Sequence, residues 1–141
     1  MKVVILAGGL GTRISDHSDL PKPMISINGI PIIAHILKIF INQGFNEFII
    51  AVGYKGNIIK KYFEKNFLQN NIQVVDTGLK TLTGNRLKKL KGFLPEENFM
   101  LTYGDGLCNV DLKKLSKFHL NHQKLVTVTA VHPPARFGEL V

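Results

Sequence analysis

The chain of 141 residues has the length of one domain, and its hydrophobic content of 45% is sufficient to build a core. Its formal net charge of +8 is compatible with nucleic-acid binding, but all except three of its 18 basic residues are lysines scattered along predicted helices, a pattern typical of solvated surfaces. The apolar runs are too short for a membrane span, and the single cysteine, Cys108, excludes an intramolecular disulfide. We therefore expect a cytoplasmic protein that binds neither nucleic acid nor membrane.

Apolar stretches rich in β-branched residues alternate with helical patterns along the chain, which is typical of βαβ units. The predicted strands are Lys2–Ala7, Glu47–Val52, Ile72–Asp76, Asn98–Tyr103 and Leu125–Val131. The predicted helices are Pro31–Gln43 with Gly44 just past its end, Gly56–Phe67, Asn85–Lys91 and Leu112–Asn121, and the predicted N-caps are Thr83 and Asp111. The sequence thus predicts a single α/β domain over residues 1–141, with a Rossmann-like, doubly wound, mainly parallel sheet and helices on both faces.

The first predicted strand continues directly into a glycine-rich loop at residues 8–13. Its three glycines lack a Cβ, so main-chain N–H groups can approach phosphate oxygens closely. Arg13 and Lys22, which lies between two prolines, add positive charge nearby. A Walker A loop needs Gly-Lys before Ser or Thr, and a dinucleotide fingerprint needs a third glycine where Ile14 stands. The pattern favours a triphosphate-binding loop over an ordinary glycine-rich turn.

Short polar motifs follow four of the predicted strands: the glycine loop, Gly53–Gly56, Asp76–Gly78 and Gly104–Gly106. Because carboxyl ends of parallel strands meet at one edge of a sheet, we expect these loops to converge there. Asp105 lies between two glycines, where its carboxylate is unobstructed. Such a group suits Mg²⁺, which binds one or two carboxylates together with substrate phosphates. The alternative is a turn aspartate that accepts hydrogen bonds from the local backbone.

The motifs resemble those of the sugar-1-phosphate nucleotidylyltransferases, and in particular their glucose-1-phosphate cytidylyltransferase branch. The matching segments cover essentially the whole chain: Gly8–Arg13, Pro21–Pro23, Gly53–Gly56, Val75–Gly78, Thr83–Lys88, Thr102–Gly106 and Pro133–Gly138. The resemblance implies transfer of a nucleotidyl group from CTP, or another nucleoside triphosphate, to a sugar 1-phosphate such as glucose 1-phosphate, with release of pyrophosphate. It also implies an Mg²⁺ cofactor.

The resemblance further implies roles for individual residues. Arg13 would hold the β- and γ-phosphates, Lys22 the α-phosphate and the attacking phosphate, and Asp105 the Mg²⁺ ion; these three are the implied catalytic residues. The implied nucleotide-binding residues are Leu6, Ala7, Gly8, Gly9, Leu10, Gly11, Thr12, Arg13, Lys22, Thr81, Arg86 and Gly104. By the same resemblance, Thr81 and Arg86 would lie in the segment that selects the base. In the alternative reading, Arg86 merely opens a helix with a solvated basic face that contains Lys88 and Lys89.

The chain departs from the family pattern in two places. Phe67–Asp76 is shorter than in the cytidylyltransferase branch, and the chain ends at Val141, before most of the sugar pocket and a second metal-binding carboxylate. We therefore expect an incomplete domain. This leaves a second class of function, either a binding-only nucleotide module or a subunit that is completed by a homo-oligomer or a complementing chain.

His119 and His122 lie three residues apart on a predicted helix, a spacing compatible with a metal site. The sequence shows no third ligand, so we interpret both as surface residues.

Overall fold

A computed structural model of the protein describes residues 1–9, 20–94, 96 and 98–132. The chain divides into two compact units, Met1–Asn109 and Val110–Val141. The first contains a short 3-10 turn at Lys22–Met24 and the elements β1 Val3–Ala7, β2 Ser26–Ile27, β3 Ile30–Pro31, α1 Ile32–Asn42, β4 Glu47–Val52, α2 Gly56–Asn66, β5 Asn71–Asp76, α3 Thr83–Lys89 and β6 Met100–Tyr103; the second contains α4 Leu112–His122. No helix in these ranges has the length and apolar character needed to cross a membrane.

The central sheet has four parallel strands in the order β5-β4-β1-β6. All residues of β1 are apolar and buried, which explains its inner position, where Ile5 lies opposite Ile50 on one side and Thr102 on the other. From β1 the chain adds β4 and β5 on one side and then returns to place β6 on the other. This reversal confirms the predicted doubly wound sheet, and it creates a crevice beyond the carboxyl ends of β1 and β6.

Helices cover both faces of this sheet, as the sequence predicts. On one face, Leu90, directly after α3, packs into a core cluster with Val4 and Ile49. On the other face, the ring of Phe40 in α1 lies edge-on to Phe48 of β4, with 6.4 Å between ring centroids. Successive side chains of a strand point to opposite faces, so a strand covered on both sides is apolar at every position.

Replacing Leu90 by Ala is expected to lower the free energy of unfolding by about 2–5 kcal/mol, because it removes a large side chain from a packed core. Leu90 is 0% exposed, whereas Leu68 is 81% exposed and serves as the matched control. Urea unfolding followed by circular dichroism measures both variants. Leu68→Ala is expected to stay within about 0.5 kcal/mol of wild type. Similar losses in the two variants would contradict the assignment of Leu90 to the core.

The helix-cap predictions have different outcomes. Asp111 caps α4 as predicted, since its Oδ1 accepts a hydrogen bond of 2.9 Å from the main-chain N–H of Lys114. The prediction for Thr83 is wrong: Thr83 is the first residue of α3, and Leu82 occupies the N-cap position without a side-chain hydrogen bond. A cap hydroxyl must precede the helix to reach its free N–H groups, and Thr83 lies one residue too late.

The predicted strand at Leu125–Val131 is wrong as well. This stretch has no regular structure, and the side chains of Leu125 and Val128 are 99% and 79% exposed. A strand requires a neighbour that pairs with its backbone N–H and C=O groups. No other strand of the described residues pairs with it, and the β-propensity of its valines and threonines does not replace that partner.

In the second unit, both histidines of α4 contact the same hydroxyl. His119 Nδ1 and His122 Nε2 lie 2.8 Å and 2.7 Å from Thr127 Oγ1, and the main-chain N–H of Lys124 donates to His122 Nδ1 at 2.9 Å. Within the described ranges, no group of three or more His, Cys, Asp or Glu residues could hold a metal ion. Both histidines thus have hydrogen-bond partners within this unit.

Candidate active site

A cavity of about 580 Å³ lies at the carboxyl ends of β1 and β6, in the crevice where the strand order reverses. Its walls are formed by the end of β1, the 3-10 turn, the loop between β5 and α3, and the end of β6. The predicted site residues that line it are Leu6, Ala7, Gly8, Gly9, Lys22, Thr81, Arg86 and Asp105. Doubly wound sheets bind ligands at this position, and the volume is within the range of small-molecule sites.

The remaining predicted site residues lie behind the wall or beyond the described ranges. The main-chain N–H of Gly104 donates to Leu6 O at 2.9 Å, which holds the end of β6 against β1. A Cβ at position 104 would lie only 3.1 Å from the Cβ of Ala7 and 3.3 Å from Cγ of Pro23, so glycine permits this close approach. Leu10, Gly11, Thr12 and Arg13 lie outside the described residues, and their roles stay predictions.

The structure brings Lys22 and Asp105 together at the cavity, with 2.6 Å between Nζ and Oδ2. Lys22 belongs to a turn that is held by a hydrogen bond of 2.7 Å from the Met24 N–H to Pro21 O, and the other two residues of that turn, Pro23 and Met24, are buried. The side chains of Lys22 and Asp105 are 36% and 32% exposed, so both charged ends remain accessible from the cavity. One wall thus presents a cation that can bind phosphate and a carboxylate that can bind a hard metal ion.

Asp105 supplies one suitable ligand for Mg²⁺, because its carboxylate is a hard oxygen donor. The described residues provide no cluster of three potential metal ligands here or elsewhere. An Mg²⁺ ion at Asp105 would therefore take most of its ligands from water and from a phosphate group. The donor set fits an ion that enters together with a phosphorylated substrate.

Among the described residues that line the cavity, Arg86 has the most extensive set of side-chain hydrogen bonds. Its Nη2 donates to Gly8 O at 2.6 Å and reaches Leu79 O at 3.5 Å, while its Nη1 donates to Val52 O at 3.1 Å and to the Thr77 hydroxyl. The residue is 5% exposed. Burial lowers the pKa of its guanidinium, and the charge of Asp76 partly offsets that shift. The alternative reading of Arg86 as part of a solvated basic face is therefore wrong.

Glycines allow three of the predicted loops to meet around this guanidinium. A Cβ at Gly8 would lie 2.1 Å from Arg86 Nη1, inside any permitted contact. A Cβ at Gly53 would lie 2.8 Å from Gly8 O and 2.9 Å from Gly78 O. The loops after β1, β4 and β5 therefore converge at one edge of the sheet, as the sequence predicts.

Thr77 and Lys89 organise the cavity wall, although the sequence pattern indicated no individual role for either residue. Thr77 is 1% exposed, and its hydroxyl donates to Val52 O at 2.8 Å. Lys89 Nζ donates to Thr77 O at 2.8 Å and to Thr81 Oγ1 at 3.1 Å, and the Thr81 hydroxyl in turn donates to Thr77 O at 2.6 Å. Lys89 follows Arg86 by three residues, a spacing that places both on one face of a helix and could have indicated the shared role.

A doubly wound sheet with two adjacent glycines, an accessible lysine and a carboxylate at its topological switch point is typical of α/β proteins that bind a ligand in that crevice. Residues 2–140 match the family described as nucleotidyl transferase, and the chain belongs to that family. This match agrees with the predicted resemblance and with the observed fold.

Two curated relatives and one solved structure illustrate the range of the similarity. The chain is 43% identical over 164 residues to glucose-1-phosphate cytidylyltransferase of Salmonella typhimurium, an alignment that covers 99% of this chain and 64% of that protein. It is 39% identical to D-glycero-alpha-D-manno-heptose 1-phosphate guanylyltransferase of Campylobacter jejuni, over 89% of this chain and 55% of that protein. The structure of HddC from Yersinia pseudotuberculosis complexed with GMP-PN superposes with a TM-score of 0.73 and 31% identity, over 85% of this chain and 54% of HddC.

Proposed function

We propose that this chain binds a nucleoside triphosphate in the cavity and takes part in transferring its nucleotidyl group to a sugar 1-phosphate, with CTP and glucose 1-phosphate as the substrate pair. The observation that carries the proposal is the pairing of Lys22 with Asp105 beside Gly8 and Gly9 at the switch point of the sheet. Membership of the nucleotidyl transferase family supports the reaction class.

In this reaction an oxygen of the sugar phosphate attacks the α-phosphorus of the triphosphate. A new P–O bond forms, and the bond to the departing pyrophosphate breaks with its electron pair. The nucleophile is already an anion, so the protein needs no general base at this step. Its tasks are to align two polyanions that repel each other and to stabilise the charge that develops on the phosphoryl oxygens.

The side chains of the cavity suit those tasks. Lys22 would exchange its contact with Asp105 for the α-phosphate and the attacking phosphate. Main-chain groups of Gly8 and Gly9 would lie along the triphosphate, and Arg13 would neutralise its β- and γ-phosphates. Mg²⁺ held at Asp105 would supply further neutralisation of the phosphate charge. All of these contributions are electrostatic and require no covalent intermediate.

CTP is the preferred nucleotide in this proposal because the Salmonella relative is named a cytidylyltransferase and is 43% identical to the chain. GTP is the main competitor, since a relative at 39% identity is named a guanylyltransferase. The wall formed by the loop around Thr81 is held in place by Thr77 and Lys89, so the base would meet an ordered surface there.

The proposal is tested by measuring Mg²⁺-dependent pyrophosphate release from CTP, GTP, ATP, UTP and dTTP, each with and without glucose 1-phosphate. We expect release with CTP that requires the sugar phosphate and exceeds release with the other nucleotides. Release with GTP alone would overturn the choice of base and keep the reaction class. Absence of binding of every nucleotide, measured by calorimetry on the same preparation, would overturn the site itself.

A binding-only module, or a subunit that needs a complementing chain, is the second candidate function. The chain spans 64% of the length of the Salmonella relative. In this case CTP would bind in calorimetry without pyrophosphate release. Activity per chain that rises with protein concentration, in step with an oligomer seen by light scattering, would instead indicate a site completed between copies.

A further inference from the structure

We propose that Arg86 is a positioning residue that holds the Gly8–Gly9 peptide in a fixed orientation and thereby prepares a main-chain donor for a phosphate group. The inference deepens the proposed function and rests on it for the identity of the ligand. It assigns Arg86 an action through the glycine loop in place of direct selection of the base.

The partners of Arg86 belong to the ends of three different strands. Gly8 follows β1, Val52 ends β4 and Thr77 follows β5, and one guanidinium donates to all three. The planar fork of arginine presents several N–H donors in diverging directions, which a lysine ammonium on a flexible stem does not. Arg86 therefore links the Gly8–Gly9 segment, which would face the phosphates, to the loop after β5, which would face the base.

Burial of its charge restricts the movement of the Arg86 guanidinium relative to its carbonyl partners. Arg86 is 5% exposed, so its N–H groups have few alternative partners in water. Hydrogen bonds from a charged donor are stronger than neutral ones, and a buried carbonyl that loses its donor retains the full cost of desolvation. The carbonyl of Gly8 is thus held toward the guanidinium, with 2.6 Å between Nη2 and the oxygen.

Orientation of the carbonyl determines orientation of the next N–H. A trans peptide is planar, so the N–H of Gly9 points opposite to the carbonyl of Gly8 and away from Arg86. Gly9 has open space where a Cβ would stand, and two adjacent glycines place little steric restriction on this peptide. Without the contact to Arg86 the peptide could rotate, and the donor for a phosphate oxygen would be lost.

The test compares binding of CTP with binding of inorganic tripolyphosphate, which has no base, in the presence of Mg²⁺. Arg86→Lys is expected to weaken both ligands about tenfold to hundredfold, because the effect acts on the phosphate loop. Lys91→Gln removes an exposed charge two residues beyond α3 and is the matched control, expected to bind both as wild type does. If Arg86→Lys weakens CTP but binds tripolyphosphate normally, Arg86 acts on the base and the proposal is overturned.

Gly8→Ala provides a second variant that retains the arginine. Its Cβ would displace the guanidinium, since it would lie 2.1 Å from Nη1. We expect the same weakening of tripolyphosphate, and the double variant Gly8→Ala/Arg86→Lys is expected to be no weaker than either single variant, because both break one contact. Additive losses would contradict a shared mechanism. The thermal midpoint of each variant confirms that binding is measured on folded protein.

Hydrogen exchange of the ligand-free protein separates this inference from the proposed function. Arg86→Lys is expected to speed exchange in peptides that cover residues 3–9 and 77–82, and to leave residues 112–122 unchanged. Unchanged exchange in the first two segments overturns the positioning role, whether or not nucleotide binds. Failure of wild type to bind either ligand, together with faster exchange in the variant, counts against the proposed function and supports the positioning of the loop.

Discussion

Replacing Asp105 by Asn is expected to abolish the Mg²⁺ dependence of CTP binding and to leave the fold intact. Asparagine retains the size of the side chain and removes the negative charge that attracts a hard cation. The lost ion pair with Lys22 involves side chains that are 32% and 36% exposed, and pairs of this kind contribute about 0–1 kcal/mol to stability. Calorimetric titration of CTP with Mg²⁺ and with EDTA measures the effect.

Glu64→Gln is the matched control for this variant. It removes a carboxylate from an ion pair with Lys60 on α2, where 3.9 Å separates the charged atoms and both side chains are 61% exposed. Mg²⁺ dependence is expected to persist in Glu64→Gln. If Asp105→Asn retains it too, Asp105 is a turn residue that does not bind metal.

Replacing Lys22 by Ala is expected to lower the rate of pyrophosphate release about 100-fold to 1,000-fold, the usual scale for one preorganised charged donor at a reacting centre. The ammonium would neutralise charge on both reacting phosphates, so its contribution grows as the new P–O bond forms. Lys22 is 36% exposed, and its removal breaks no buried contact of the core. Single-turnover measurement of pyrophosphate release with CTP and glucose 1-phosphate gives the rate.

Lys60→Ala is the control for Lys22→Ala, because it removes a lysine from an exposed ion pair outside the cavity. Its rate is expected to match wild type. A loss below about fivefold in folded Lys22→Ala would exclude the proposed role of this ammonium. Retained tripolyphosphate affinity with a reduced rate would show that Lys22 acts mainly in the transition state.

Local features of the sequence determined the fold class and the position of the cavity. Strands buried on both faces must be apolar along their buried length; β1 carries that pattern throughout, and β4 carries it at every position after Glu47. Glycines at strand ends indicated close approach of loops, and Asp105 between two glycines indicated an accessible carboxylate. These inferences were correct because apolar side chains and missing Cβ atoms are properties of the residues themselves.

Tertiary structure alone decided the partners of the charged groups and the fate of one predicted strand. Arg86 donates to Gly8 across 78 positions of sequence and to Val52 across 34, and no local pattern distinguishes a buried guanidinium from an exposed one. The pairing of Lys22 with Asp105 likewise depends on where the 3-10 turn meets β6. Leu125–Val131 has strand composition but forms no strand, since backbone hydrogen bonds in a sheet are made with a neighbour that composition does not supply.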